Sequence, residues 1–246
     1  MVLTGCAGFL GFSFLHFFCR HAASLGVKKI IGLDRFLLGR PVWLDRLAKD
    51  HALLEIRSFD VAGENLPKDL ENATHVIHLA SIASPTFYRK YPLETVDANV
   101  WGLRRLLDFY REKKSLRGLL FFSSSEIYGD PAPEAVPTDE EYRGNTSAIG
   151  PRACYDESKR FGETLCYLYA EKYGLPVTIV RPFNNYGPGM ALRDLRLPSD
   201  FAKAILENRD LEMLSDGTPR RTFCYTADAI FGYVLALCHG QFDYFN

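Results

Sequence analysis

The chain has no cysteine pair at metal-ligand spacing, no histidine cluster and no excess of charge of either sign. Its six cysteines, Cys6, Cys19, Cys154, Cys166, Cys224 and Cys238, are scattered without a C-x-x-C. That argues against a zinc site or a disulfide framework, and reads as reduced core thiols of a cytoplasmic protein with no metal. Lysine and arginine number 29 against 30 aspartates and glutamates, so nothing in the charge calls for nucleic acid or an anionic membrane. Long apolar runs are missing too. Phe9 to Phe18 resembles the core of a signal peptide, yet it is too short to span a bilayer and no basic segment precedes it. It reads as a buried helix. Repeats and low-complexity tracts are also absent.

Apolar residues make up 47% of the 246, enough to bury the core of one full α/β domain with a small appended lobe. Short apolar runs alternate with amphipathic stretches, the pattern of βαβ units in a parallel sheet. Val2-Leu3 opens in mid-strand, and a helix is predicted from about Phe9 to Leu25. Strands are predicted at Val27 to Leu33, Leu53 to Phe59, His75 to Leu79, Leu119 to Ser123 and Pro176 to Arg181. Helices are predicted from about Thr95 to Glu112 and from Cys154 to Tyr173. The Pro-, Gly- and acid-rich stretch from Gly129 to Arg152 is long enough to be a functional loop. Beyond Pro182 the pattern loosens, with a helix near Pro198 to Asn208 and another near Ala227 to His239. Residues 1–183 are therefore expected to form the nucleotide-binding domain, with 222–240 returning to it. Residues 184–246 are expected to form a substrate lobe that continues past Asn246.

Gly5-Cys6-Ala7-Gly8-Phe9-Leu10-Gly11 follows a strand and opens a helix. Glycines there permit a tight turn and close approach of backbone to a pyrophosphate, and the helix N-terminus supplies free N–H groups. A packing turn alone would also use glycines. Asp34, 23 residues past Gly11 at the end of the next strand, decides for a dinucleotide. A carboxylate there binds an adenosine ribose diol and repels a 2′-phosphate, which favours NAD over NADP. Asp60 and Val61, after the third strand, are placed to meet the adenine edge.

Tyr155 and Lys159 lie one helical turn apart on one face. An ammonium held near a phenol is expected to lower its pKa from about 10 toward neutrality, making it a usable proton acceptor and donor. A surface pair would show the same spacing. The dinucleotide turn and the strand ending Ser123-Ser124-Ser125-Glu126 favour the catalytic reading.

Together these motifs resemble the extended short-chain dehydrogenase/reductases that act on sugar nucleotides: epimerases, dehydratases and decarboxylases. The resemblance spans the chain, through the glycine turn, His78-Leu79-Ala80-Ser81, Asn99, Ser124 to Gly129, Tyr155/Lys159 and Arg181-Pro182-Phe183-Asn184. It implies a Rossmann-type doubly wound parallel sheet, NAD, a UDP-sugar substrate and a homodimer paired through helices near 96–112 and 155–173. It further implies cofactor contacts from Leu79, Ala80, Ser81 and Asn99, and substrate contacts from Asn184 and Arg221. Ile149 to Arg160, Ser124 to Pro131 and Arg221-Thr222-Phe223 are most similar to the UDP-glucuronate decarboxylase branch. Ser125 stands where the 4,6-dehydratases carry the aspartic acid that protonates their leaving hydroxyl. By that likeness Ser124 holds the sugar 4-hydroxyl, Lys159 the nicotinamide ribose, and Glu126 with Ser125 the carboxylate, the ring or a water. A 4-epimerase, or a non-catalytic NAD-sensing protein, is the alternative. His78 reads as a packed strand end rather than an acid or base.

Overall fold

The computed structural model describes residues 1–194, 196–213, 215–218 and 220–246. Apolar runs become strands buried on both faces, as the doubly wound pattern requires. β1 (Val2–Thr4), β2 (Ile30–Asp34), β3 (Leu54–Ser58), β4 (His75–His78), β5 (Gly118–Phe122), β6 (Val177–Val180) and β9 (Asp243–Phe245) form one parallel sheet. Its order is β3-β2-β1-β4-β5-β6-β9. The order reverses between β1 and β4, and the crevice at such a switch point is where ligands bind in this class of sheet.

Alternation along each strand divides the core. Val2, Leu119 and Phe121 face one layer, with Leu103, Leu106 and Leu107 of α5 (Leu103–Tyr110) and Leu165 and Tyr169 of α6 (Ala153–Tyr173). Leu3, Leu120 and Phe122 face the other. There they meet Phe14, Leu15 and Phe18 of α1 (Phe9–His21), Leu44 and Leu47 of α2 (Val42–Asp50), and Ile230 and Leu237 of α8 (Thr226–His239). Fully burying one such side chain stabilises the fold by roughly 1.5–3 kcal/mol. The signal-like run Phe9–Phe18 is thus a core helix. Among the described residues no helix is long and apolar enough to cross a membrane.

Several elements depart from the expected spans. α1 stops at His21, and the first residues of the expected second strand are not paired. The helix expected from Thr95 begins earlier, as α3 (Pro85–Lys90) and α4 (Pro92–Val96), and passes through a widened π-helical turn at Asp97–Gly102 before α5. Three short strands were not expected. β7 (Asn184–Tyr186) and β8 (Phe223–Tyr225) pair in parallel as a separate ribbon, and β9 extends the main sheet beside β6. α7 (Leu197–Leu206) lies between the ribbon strands in sequence. All six cysteines are free, but Cys224 and Cys238 are exposed, not core thiols as expected.

Two features set α6, which carries Tyr155 and Lys159, on the sheet. A Cβ at Gly162 would lie 2.6 Å from the Phe121 ring, so glycine lets α6 settle directly on β5. Buried Arg181, after β6, pairs with Glu163 of α6 at 2.7 Å and donates to the Tyr128 hydroxyl and the Glu140 carbonyl, both at 2.8 Å. The loop after β5 is thereby tied to the same helix.

Candidate active site

At the C-terminal edge of β1 the chain turns at Gly5, whose φ of +71° suits glycine. A Cβ there would also sit 2.6 Å from Ala80 N, so β1 and β4 deliver their loops into contact. Gly8 caps α1 without any side-chain cap, which leaves the first N–H groups of that helix free for an anion. Asp34 reaches back from β2: Oδ2 accepts from Ala7 N at 2.9 Å and Oδ1 from Phe36 N at 2.8 Å. Burial nevertheless pushes its carboxyl above the usual range.

A cavity of about 330 Å³ opens at this turn. Of the expected cofactor residues, Gly5, Gly8, Phe9, Asp34, Asp60, Val61, Leu79, Ala80 and Ser81 line it. Leu10, Gly11 and Asn99 do not. Leu10 packs into the α1 core layer, and a Cβ on Gly11 would strike the Cys6 carbonyl at 2.4 Å. Asn99 is fully buried and donates to Ser158 Oγ at 2.8 Å, stitching the π-helical turn to α6. Residues that were not expected complete the wall: Ser84 and Phe87, and, from beyond β7, Arg193 and Arg196. Ser81 Oγ and Ser84 Oγ are buried there without a partner. A polar ligand with hydroxyl and phosphate groups fits such a wall. A larger apolar cleft of about 770 Å³ lies beside α8 and β8, but no expected catalytic side chain lines it.

Tyr155 and Lys159, also expected at the cofactor, do not line the smaller cavity either; Tyr155 lies behind Ile82 of its wall. Tyr155 packs with Ile82 and Tyr88, and its ring stacks on that of Tyr88 at 5.2 Å. Lys159 is 3% exposed; its Nζ donates to the Phe122 carbonyl at 2.6 Å and stands 5.7 Å from the Tyr155 ring centre. The expected lowering of the phenol pKa is not found. Burial pushes Tyr155 up to about 12, against the hydrogen bond from Ser124 that favours phenolate, while Glu126 and Asp156 push it further up. Burial also takes Lys159 down to about 7. The Lys159 ammonium is directed at the Phe122 carbonyl rather than at the phenol oxygen, and burial dominates the shift of Tyr155.

Ser124 Oγ also accepts from Glu126 N at 3.2 Å, turning the chain sharply after β5. Ser125 N donates to the Pro182 carbonyl at 2.9 Å. Glu126 pairs with Arg152, which also reaches Asp156 at 3.3 Å. Arg152 and Asp156 were missed because nothing in their spacing marks a partner 26 residues away. His78 is buried and hydrogen-bonded through Nδ1 to Thr4 Oγ1 at 2.7 Å, a packed strand end as expected. Asn184 Nδ2 donates to the Thr222 carbonyl at 3.0 Å, and Arg221 beside it is exposed and contacts only the Arg220 carbonyl among the described hydrogen bonds. The structure thus gathers Ser124, Ser125, Glu126, Tyr155 and Lys159 and leaves Arg221 apart.

The chain that carries this glycine turn, strand-end carboxylate and Ser/Tyr/Lys group matches the model of the NAD dependent epimerase/dehydratase family over residues 1–246. The chain belongs to that family. Members similar to it include UDP-glucuronic acid decarboxylase 1 of Xenopus tropicalis, 36% identical over 95% of this chain and 52% of that protein. UDP-glucuronic acid decarboxylase 6 of Arabidopsis thaliana is 35% identical over 94% of this chain and 64% of that protein. The chain therefore spans between half and two-thirds of the length of these curated relatives. Among solved structures, UDP-glucuronic acid 4-epimerase from Bacillus cereus in complex with NAD superposes with a TM-score of 0.78 at 26% identity. That match covers 99% of this chain and 77% of the epimerase.

Proposed function

We propose that this chain carries the cofactor-binding and catalytic part of an NAD-dependent UDP-glucuronate decarboxylase, which releases CO2 and forms UDP-xylose. The observation that carries the reading is the run Ser124-Ser125-Glu126 at the end of β5, with Ser124 beside Tyr155, in a chain about 35% identical to proteins of that name. Gly5, Gly8, Asp34 and Ser81 hold the dinucleotide, and Asp34 favours NAD. Arg35, the one cation beside it in sequence, is turned to Asp60 at 3.5 Å, which speaks against a 2′-phosphate. Bound NAD supplies an acceptor for the hydride of the sugar C4 and returns it later, so the cycle has no net redox change.

Tyr155 Oη, in its phenolate form, takes the proton of the 4-hydroxyl and gives it back, although burial favours the phenol. Ser124 Oγ holds that hydroxyl and stabilises phenolate by donating to it. With a ketone at C4 the C5 carboxylate belongs to a β-keto acid, and it leaves as CO2 while its bonding electrons pass toward the ketone oxygen. Tyr155 Oη and Ser124 Oγ are the donors for that oxygen. Glu126, with Ser125, orders the carboxylate side of the ring or a water, and C5 then regains a proton. Lys159 positions the nicotinamide ribose, and Asn99 acts through Ser158 on α6. Asn184 and Arg221 meet the nucleotide sugar, Arg221 at its diphosphate or carboxylate. Residues 184–221 contribute to the substrate lobe, α8 and β9 return to the nucleotide-binding domain, and the working assembly is a cytoplasmic homodimer.

The test is direct: the full-length protein is incubated with UDP-glucuronate and NAD, and the sugar nucleotide is followed by mass spectrometry and proton NMR. Loss of one CO2 with a pentose product is the expected result. A second reading, 4-epimerisation, is favoured by the likeness to the Bacillus cereus epimerase. Release of the C4 epimer with the carboxylate intact would establish it and overturn decarboxylation.

A further inference from the structure

Arg152 serves two carboxylates at once. Its side chain pairs with Glu126, from the turn after β5, and its Nε stands 3.3 Å from Asp156 Oδ2, one turn along α6. Its own carbonyl accepts from Tyr155 N at 2.9 Å and Asp156 N at 3.0 Å, so backbone and side chain together fix it at the head of the catalytic helix. Asp156 is 7% exposed with Oδ1 unpartnered, and the Tyr88 hydroxyl, on the ring stacked against Tyr155, is also buried without a partner. One guanidinium therefore balances two carboxylates beside the phenol, the buried Asp156 and the half-exposed Glu126.

A sugar with a carboxylate on C5 brings a further negative charge into this corner. C5 is bonded to C4, and the 4-hydroxyl sits at Ser124 and Tyr155. Glu126 N is hydrogen-bonded to Ser124 Oγ, so Glu126 flanks the same ring edge. Carboxylates at that range repel one another unless one of them is neutralised, the more so once a bound sugar has displaced water from between them. A neutral hexose with CH2OH on C5 brings no such charge. We propose that Arg152 is a specificity-determining residue, which cancels the charge of Glu126 so that the site accepts a C5 carboxylate in preference to a neutral hexose. The proposal rests on the uronate reading given above. It requires no contact of Arg152 with the sugar.

Calorimetric titration of the NAD-loaded full-length protein with UDP-glucuronate and with UDP-glucose tests it, because the two ligands differ only at C5. The quantity read is the ratio of the two affinities. Arg152→Met is expected to weaken UDP-glucuronate by about tenfold or more while moving UDP-glucose by no more than about twofold. Arg152→Lys keeps most of the preference. Glu126→Gln added to Arg152→Met restores it, since the charge that needed cancelling is gone. Equal loss for both ligands, or no recovery in the double variant, would overturn the proposal by showing that Arg152 only braces the helix. If Arg152→Met does not fold, Glu126→Gln alone must raise the ratio in favour of the uronate, and an unchanged ratio again overturns it. Failure of the uronate reading itself appears earlier and separately, as a wild-type protein that leaves UDP-glucuronate unconverted.

Discussion

Burial acts in opposite senses on the two members of the catalytic pair: it makes a phenol harder to ionise and an ammonium easier to neutralise. With Lys159 drawn from 10.5 down to about 7, the unfolded chain binds more protons than the folded one between those values. Stability therefore rises with pH across that window and is lowest below it. Lys159→Met removes the desolvation cost and gives up one hydrogen bond to the Phe122 carbonyl, worth about 1 kcal/mol. The variant is expected to be more stable than wild type at about pH 6, with the gap shrinking toward pH 10, while turnover falls roughly a hundredfold or more. Denaturant unfolding repeated across pH reads this, and a variant less stable than wild type at pH 6 contradicts it. Tyr155→Phe keeps the ring stacked on Tyr88 and loses only Oη. Turnover should drop by about three orders of magnitude with NAD affinity within about twofold, which also separates an enzyme from an NAD sensor. The Tyr–Lys spacing was visible in the sequence, but the direction of the phenol shift was not. Tyr155 is buried by Ile82 and Tyr88, some seventy residues earlier in the chain, and no local pattern announces that contact.

Among the elements, legibility followed length and burial. β1 to β6 and α6 could be read because apolar runs buried on both faces, and a long helical period, leave a strong local signal. β7, β8 and β9 could not: Asn184-Asn185-Tyr186 reads as a turn, Phe223 to Tyr225 is exposed, and Asp243 to Phe245 is not buried as the equally short β1 is. The dinucleotide turn was legible as a glycine pattern, whereas the separate duties of its glycines emerge only from the packing. Gly5 has a positive φ, and a methyl added there would meet the backbone of Leu79 and Ala80 within 2.9 Å, so Gly5→Ala is expected to destabilise the fold by several kcal/mol. Gly8 has an ordinary φ and its nearest obstacle is the Gly5 carbonyl at 3.3 Å, on the side that lines the cofactor cavity. Gly8→Ala should melt within a few degrees of wild type, yet bind NAD about tenfold or more weakly. Thermal melting paired with NAD titration distinguishes the two. Equal effects of both substitutions on stability would refute this division of labour.

At the scale of the whole molecule, a stripe of large apolar side chains runs over the helices that flank the catalytic layer. Leu93 is 75% exposed, Trp101 57%, and Phe161 and Leu168 50% each. Phe161 and Leu168 are seven residues apart, two turns along one face of α6, while Trp101 heads the face of α5 that carries Arg104 and Asp108. Arg104 lies over the Tyr169 ring at 5.3 Å and Tyr169 donates to Asp108 at 2.5 Å, so the two helices already present one continuous surface. A contiguous apolar surface of this kind marks an interaction site, and a self-complementary patch favours a two-fold pair. Two copies joined here would form a four-helix contact. Sedimentation of the protein should give twice the mass of the chain. Trp101→Glu combined with Phe161→Glu should give a monomer that still binds NAD, since neither residue lines the cavity. A wild-type protein that sediments as a monomer at tens of micromolar, or a double variant that stays dimeric, would remove these helices from the interface.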